Sequence, residues 1–349
     1  MRGAPVTIID KYHEYYAGIS MLGKVRVSLG SAVVLGLSKA RLDSPPTTIY
    51  LLTYRSGKCL ASCAFCPQSR ISRGRRDMLS RIIWPVFKVA DVISRIPTAY
   101  DSGAIKRVCI QAINYPGVLD HIEYLVDHIH SLSDVPISVS CQPITKEWMA
   151  RLADKGVERV SIPLDAANKA IFEKVKGDLI GGPYRWDEHM KSLKDAVDVF
   201  GWGMATTHLI IGLGETEEDI VRIMQECVDI GVYPSLFAFT PIPGTKMERH
   251  HQPTLLSYRK AQVAQYLVTR GLSRYEEMRF AEKCLIDFGV SREKLKNIIS
   301  SGEPFKTSGC PGCNRPYYNE KPSGPIYNFP RDLTEQEIAE IQALFRGFT

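Results

Sequence analysis

Cys59, Cys63 and Cys66 fall within one short loop at the spacing Cys-x3-Cys-x2-Cys. Thiolates are soft ligands suited to iron–sulfur clusters and to zinc. Three on one loop can hold three corners of a four-iron cube and leave the fourth iron open. A closed structural zinc site is the alternative, but it takes four ligands, usually as two pairs, and no fourth ligand stands beside this loop. The other cysteines are Cys109, Cys141, Cys227, Cys284, Cys310 and Cys313. Nine cysteines behind a start, Met1 to Val6, that lacks a secretory pattern read as metal or redox ligands rather than disulfides. The expected location is cytoplasmic.

Such a loop needs a scaffold. A β-like run from Thr47 to Thr53 feeds directly into it. Beyond it, Trp84 to Ile96 has helical period, and then strands and helices alternate. Strands are expected at 106–112, 137–141, 159–164, 204–211 and 235–240, and helices at 120–132, 146–155, 167–176, 187–200, 217–230 and 255–269. Six strand-helix units in series predict an α/β fold with a parallel sheet and right-handed crossovers, curled into a full or partial TIM-type barrel. Catalytic residues then gather at the carboxyl ends of the strands. Residues 8–41 predict two or three short helices that cap the barrel. The expected division is a helical extension over 1–46, a barrel over 47–272 and a carboxyl-terminal extension over 273–349.

The chain has 349 residues, 44% of them hydrophobic, enough for a large core in one barrel with extensions. No run reaches the roughly 18 apolar residues of a membrane span. The net charge of +6 is mild and nothing points to nucleic acid. The basic run Arg70 to Arg76 reads as a solvated loop or as a docking surface for an acidic electron donor.

On the second parallel strand Arg107, Cys109 and Gln111 share a face, and on the third Ile137, Val139 and Cys141 do. Asp165 follows the fourth, where an acid can accept hydrogen bonds from ribose hydroxyls or cap the helix near Ala167. The fifth runs into Gly212-Leu213-Gly214-Glu215, where glycine lets backbone approach a planar base. Thr216 also reads as a plain helix cap.

The cysteine spacing, Phe65 before the last cysteine, and the position after a first strand together resemble the radical S-adenosylmethionine superfamily. The resemblance implies that the open iron chelates S-adenosylmethionine and that an electron from the cluster cleaves it to a 5′-deoxyadenosyl radical. The implied contacts to S-adenosylmethionine are Phe65, Gln111, Asp165, Gly212, Gly214 and Glu215. Over about residues 47 to 250 the chain is most similar to biotin synthase, through the cysteine loop, Val108-Cys109-Ile110, Ser140-Cys141, Leu164-Asp165, Ile211 to Glu215 and Gly244-Thr245. In that family cysteines on strands two, three and five hold an auxiliary cluster that donates sulfur. Cys109 and Cys141 match the first two, and Thr206 stands at the third, a departure from the pattern.

The tail carries a Cys-x2-Cys pair, Cys310 and Cys313, in a loop rich in proline and glycine. Alone it reads as half a zinc knuckle or a redox dithiol. Closing the barrel with this tail would assemble Cys109, Cys141, Cys310 and Cys313 into an auxiliary four-iron site. Cys227 and Cys284 read as buried structural thiols. Arg315 and Lys321 read as surface charges or as contacts to the substrate's backbone or its carrier's acidic surface, and Tyr317, Tyr318, Tyr327 and Phe329 as packing of the tail on the barrel or as a substrate channel.

A barrel similar to biotin synthase with a cysteine-bearing tail resembles one component of the two-protein lipoyl synthases known chiefly in archaea. The implied reaction is sulfur insertion at C6 or C8 of an octanoyl group on a lipoyl carrier protein or peptide. The implied partners are a paralogue that installs the other sulfur and a ferredoxin or flavodoxin-type electron donor. The alternatives are another enzyme similar to biotin synthase acting on a different small substrate, and a non-catalytic iron–sulfur protein.

Overall fold

The computed structural model of the chain describes residues 23–348. The helices expected before Gly23 lie outside the described residues. The first described element is instead a strand, β1 (Lys24–Val27), followed by α1 (Leu29–Val34) and β2 (Thr48–Leu52). Val25 and Val27 of β1 are both buried. After the cysteine loop come a small hairpin, β3 (Met78–Leu79) and β4 (Ile82–Ile83), then β5 (Val86–Lys88), α2 (Val89–Ile93) and α3 (Ile96–Asp101). The helical period expected from Trp84 therefore begins only after a three-residue strand. Phe87 of that strand pairs with Val25 of β1.

The regular alternation follows as expected: β6 (Arg107–Gln111), α4 (Val118–His130), β7 (Ile137–Ser140), α5 (Lys146–Asp154), β8 (Val157–Ser161), α6 (Lys169–Val175), α7 (Trp186–Phe200), β9 (Ala205–Ile211), α8 (Glu217–Asp229), β10 (Val232–Ala238) and α9 (Leu255–Thr269). Polar residues cap four of these helices, Thr145, Asn168, Thr216 and Thr254 each accepting a first-turn backbone N–H. Thr216 and Asp219 form a full capping box.

The main sheet has the order β10-β9-β8-β7-β6-β2-β1-β5. Its six parallel strands stand in chain order, while β1 is antiparallel to β2 and β5. Val108, Ile110, Ile137, Val139 and Val160 are fully buried under the helices. The opposite face, with Tyr50, Cys109, Ser138, Ser161, His208 and Phe237, one from each parallel strand, surrounds a cavity of about 970 Å3. The sheet therefore curls into a partial barrel.

The carboxyl-terminal part adds the hairpin β11 (Arg279–Ala281) and β12 (Cys284–Asp287), α10 (Arg292–Ser300) and α11 (Glu335–Leu344). Between α10 and α11 the tail crosses from β10 to β2. Ser308 Oγ accepts the Leu236 N–H at 2.8 Å, and Asn314 Oδ1 accepts the Thr47 N–H at 3.0 Å. Arg259 of α9, almost fully buried, donates to the carbonyls of Tyr327 and Ile326 and fixes the end of that crossing.

Candidate functional site

The strand β2 is buried along its whole length, with Tyr50 and Leu52 on the cavity side, and it leads into the loop that carries Cys59. The loop is tied back on itself: Lys58 Nζ donates to the carbonyls of Pro67, Ser72 and Gly74 at 2.7 to 2.9 Å. Gln68 Nε2 bridges to the carbonyls of Arg76 and Met78. Cys59 Sγ accepts backbone N–H groups from Ala61 at 3.4 Å and Asn114 at 3.1 Å. Cys59, Cys63, Phe65 and Cys66 all border the cavity. Burial pushes the Cys63 thiol well up and the Cys66 thiol up to about 12.

A second group of thiols borders the same cavity. Cys109 projects from β6, and the tail brings Cys310 and Cys313 beside it. Burial, reinforced by Cys310 and Cys313, pushes the Cys109 thiol up. Cys310 receives a contact of 3.6 Å from Ser138 Oγ, and Cys313 lies 3.2 Å from the Tyr50 hydroxyl. The Arg107 guanidinium, buried at the start of β6, donates to Ser138 Oγ, to the Pro311 carbonyl of the tail and to Glu158.

Cys141 also borders the cavity, but not in register with Cys109. The register pairs Cys109 with Ser138 and Gln111 with Ser140, so Ser138 and Ser140 share the cavity face and Cys141 has the parity of Val139. It borders the cavity just past the end of β7, but burial alone pushes its thiol up, to about 12, with no contribution from another thiol. All four expected auxiliary cysteines border the cavity, and of these Cys109, Cys310 and Cys313 act on one another while Cys141 does not join them.

Among the described residues no three His, Cys, Asp or Glu side chains converge where one metal ion would bind. A single zinc ion requires every ligand atom at about 2.0–2.3 Å from one centre, whereas a four-iron cube spreads its thiolates over separate corners. Three thiols on one tethered loop, facing a roomy cavity, fit the cube.

Asp165 also borders the cavity. It does not cap the next helix, because Asn168 does so. Its backbone is left-handed, φ 68°, and its carboxylate is paired at 2.7 Å with Lys176, an ammonium without solvent exposure. Lys176 Nζ also donates to the Pro163 carbonyl. Gln111 borders the cavity too. Gly212, Gly214 and Glu215 do not. Glu215 accepts the N–H groups of Gly212 and Leu213 and so closes its own turn, and Gly212 has φ 105° with a Cβ there 2.8 Å from Pro253. The glycines answer a turn and a close contact.

Tyr327 and Phe329 are buried as expected, but Tyr317 and Tyr318 border the cavity. Arg315 is no surface charge. It borders the cavity with its guanidinium 3.8 Å from the Phe237 ring centre, and its Nη2 donates to the Ser308 carbonyl. Cys227 is buried, whereas Cys284 is exposed on the hairpin. In the basic run, Arg70 donates to Ser62 and Gly181, and Arg75 pairs with Asp77.

Sequence reasoning missed Tyr50, Ser138, Lys176 and His208. His208 lies on β9 with Nε2 3.2 Å from Ser161 Oγ, and burial first, then Arg315 and Lys176, lower its pKa to about 3, so the imidazole is neutral. Alternation along β9 from Thr206 would have placed His208 inward.

Comparison with known proteins shows the family and the fold. The model of the radical SAM superfamily matches residues 53–227. A biotin synthase of Persephonella marina is 26% identical over 213 residues, 58% of each chain. That of Hydrogenobaculum sp. is 25% identical over 275 residues, 74% of this chain and 75% of the other. The match thus spans under two thirds of the first relative's length. The solved structure of methylornithine synthase superposes with a TM-score of 0.51 at 12% identity, over 76% of this chain and 71% of the other. The FeFe-hydrogenase maturase of Carboxydothermus hydrogenoformans gives 0.50 at 16%, over 64% and 51%. These structural likenesses speak for the fold alone. No helix among the described residues is long and apolar enough to cross a membrane.

Proposed function

Because the chain belongs to the radical S-adenosylmethionine superfamily, we propose that it is a sulfurtransferase that inserts sulfur at C6 or C8 of a protein-bound octanoyl group. The observation that carries this reading is the second set of thiols, Cys109, Cys310 and Cys313, bordering the same cavity as Cys59, Cys63 and Cys66. The similarity to biotin synthases supports it, since those relatives are named for a product that contains inserted sulfur.

Cys59, Cys63 and Cys66 would hold three irons of the first cluster, with S-adenosylmethionine on the fourth. Together these groups supply a carbon radical able to take a hydrogen atom from an unactivated carbon. The chain's part is positioning and exclusion. Asp165, held by Lys176, and Gln111 offer polar contacts on the wall for S-adenosylmethionine. The tail covers the open side of the partial barrel and keeps water and stray hydrogen donors away from the reacting carbon. Cys109, Cys310 and Cys313 would hold an auxiliary four-iron cluster as the sulfur source, with one corner left for a ligand other than cysteine. The substrate would be an octanoylated lipoyl carrier protein or peptide. A paralogous enzyme would install the other sulfur, and a ferredoxin or flavodoxin-type donor would supply electrons.

A second reading keeps the radical chemistry and takes a small polar substrate. It is favoured by the hydroxyl-rich wall of Ser138, Ser140, Ser161, Thr206 and Ser235. Anaerobic incubation of reconstituted protein with S-adenosylmethionine, a reductant and an octanoyl-lysine peptide separates the two. The expected result is 5′-deoxyadenosine together with a peptide heavier by one sulfur atom. Deoxyadenosine that never increases with the peptide, and no thiolated product, would overturn the octanoyl assignment.

A further inference from the structure

Each tail thiol meets one hydroxyl from the barrel wall, and each of those hydroxyls has its oxygen occupied by an N–H donor. The Arg107 guanidinium donates to Ser138 Oγ at 2.5 Å, and Ser138 Oγ lies 3.6 Å from Cys310 Sγ. The backbone N–H of Arg315 donates to the Tyr50 oxygen at 3.0 Å, and that oxygen lies 3.2 Å from Cys313 Sγ. A guanidinium and a backbone N–H can only donate. The hydrogens of Ser138 and Tyr50 are therefore left for the sulfurs. Cys109, the wall thiol, has no such partner among the described residues.

We propose that Tyr50 and Ser138 are positioning residues of the auxiliary site: their hydroxyls seat the tail thiols Cys313 and Cys310 and so decide whether the second metal site forms. The proposal rests on the two-cluster reading above. Its chemistry is that of donors around a metal-bound thiolate: hydrogen bonds to the charged sulfur hold its orientation and offset its charge in a buried site. The relays also explain why a loop rich in proline and glycine closes at one place. Thr47 Oγ1 donates to the Gly312 carbonyl at 2.5 Å, and Arg107 Nε to that of Pro311 at 3.1 Å. These bonds fix the backbone between the two sulfurs, and the hydroxyls then fix the sulfurs themselves.

The test uses the full chain, reconstituted anaerobically, as wild type, Y50F/S138A and S138T. Two readouts are taken, iron content and hydrogen exchange at the Arg315 amide, whose acceptor is the Tyr50 oxygen. The double variant is expected to lose about half of the iron while still cleaving S-adenosylmethionine, and its Arg315 amide is expected to exchange about fivefold faster. S138T, which keeps a hydroxyl, is expected to hold wild-type iron. Wild-type iron in the double variant would overturn the proposal, whatever the exchange rate. If the wild type itself carries only about four irons, the two-cluster reading and this role in metal binding fall together. Exchange that then quickens in the double variant would leave the hydroxyls as anchors of the tail alone.

Discussion

Ser138, and not Cys141, stands opposite Cys109 in the register of β6 and β7. On the proposed two-cluster reading the auxiliary thiols are Cys109, Cys310 and Cys313, and substitution should sort them from Cys141. C141A is expected to keep the full iron content and to cost about 1 kcal/mol for the small buried gap. C109A and C310A are each expected to lose the auxiliary share of the iron. Iron analysis with absorption spectra checks both, and loss of that share in C141A would restore the four-cysteine set.

The ion pair of Asp165 and Lys176 should show itself in stability before activity. Lys176 has no solvent exposure and Asp165 little, so removing one partner strands a charge in the interior. D165N keeps a residue that tolerates the left-handed backbone at 165 and is expected to destabilise the fold by about 3 kcal/mol, while D165N/K176M recovers much of that loss. Urea unfolding midpoints measure it. A double variant less stable than D165N would refute the stranded-charge explanation.

Glu320 gives a pH dependence with a definite sign. Burial pushes its carboxyl up from 4.5 to about 7, despite Arg315 and Arg259 acting the other way. An acid whose pKa is raised by folding contributes most when protonated, so stability falls as pH rises from about 4.5 to about 7 and is level above that. The swing is roughly 3 kcal/mol at most, at 1.36 kcal/mol per unit. E320Q should flatten stability over that interval, read from unfolding at a series of pH values. An unchanged slope in E320Q would assign the dependence to other groups.

Gly244 locks the far end of the cysteine loop. Its φ is +81°, a Cβ there would lie 2.4 Å from the Gly74 nitrogen, and its carbonyl accepts the Arg73 N–H at 2.7 Å. G244A is expected to cost about 1–3 kcal/mol and to lower the melting temperature. A melting temperature equal to that of the wild type would show that the loop can shift without cost.

The parts of this molecule written in local pattern were legible from the sequence. Six strand-helix units, the Thr216 cap and the cysteine loop after β2 all follow from apolar period, polar helix starts and thiol spacing. What depends on pairing between distant strands was not. Whether Cys141 shares the face of Cys109 turns on how β7 registers against β6, and alternation within β7 alone says only which residues share a side. β1 escaped because a four-residue strand beside a helix has no period to read. Arg315 and Tyr318 read as surface or packing because nothing local shows that the tail folds inward. Lys176 closed a helix in the sequence, and only the fold shows that it turns back to Asp165.

The central claim, that two thiol groups around one cavity hold two clusters, is tested most directly by iron and sulfide content with spectra. The reconstituted chain is compared with a variant in which Cys59, Cys63 and Cys66 are all alanine. About eight irons falling to about four is the expected result, with the remainder bound by Cys109, Cys310 and Cys313. About four falling to none would contradict it and leave a single-cluster enzyme whose tail cysteines do not bind iron.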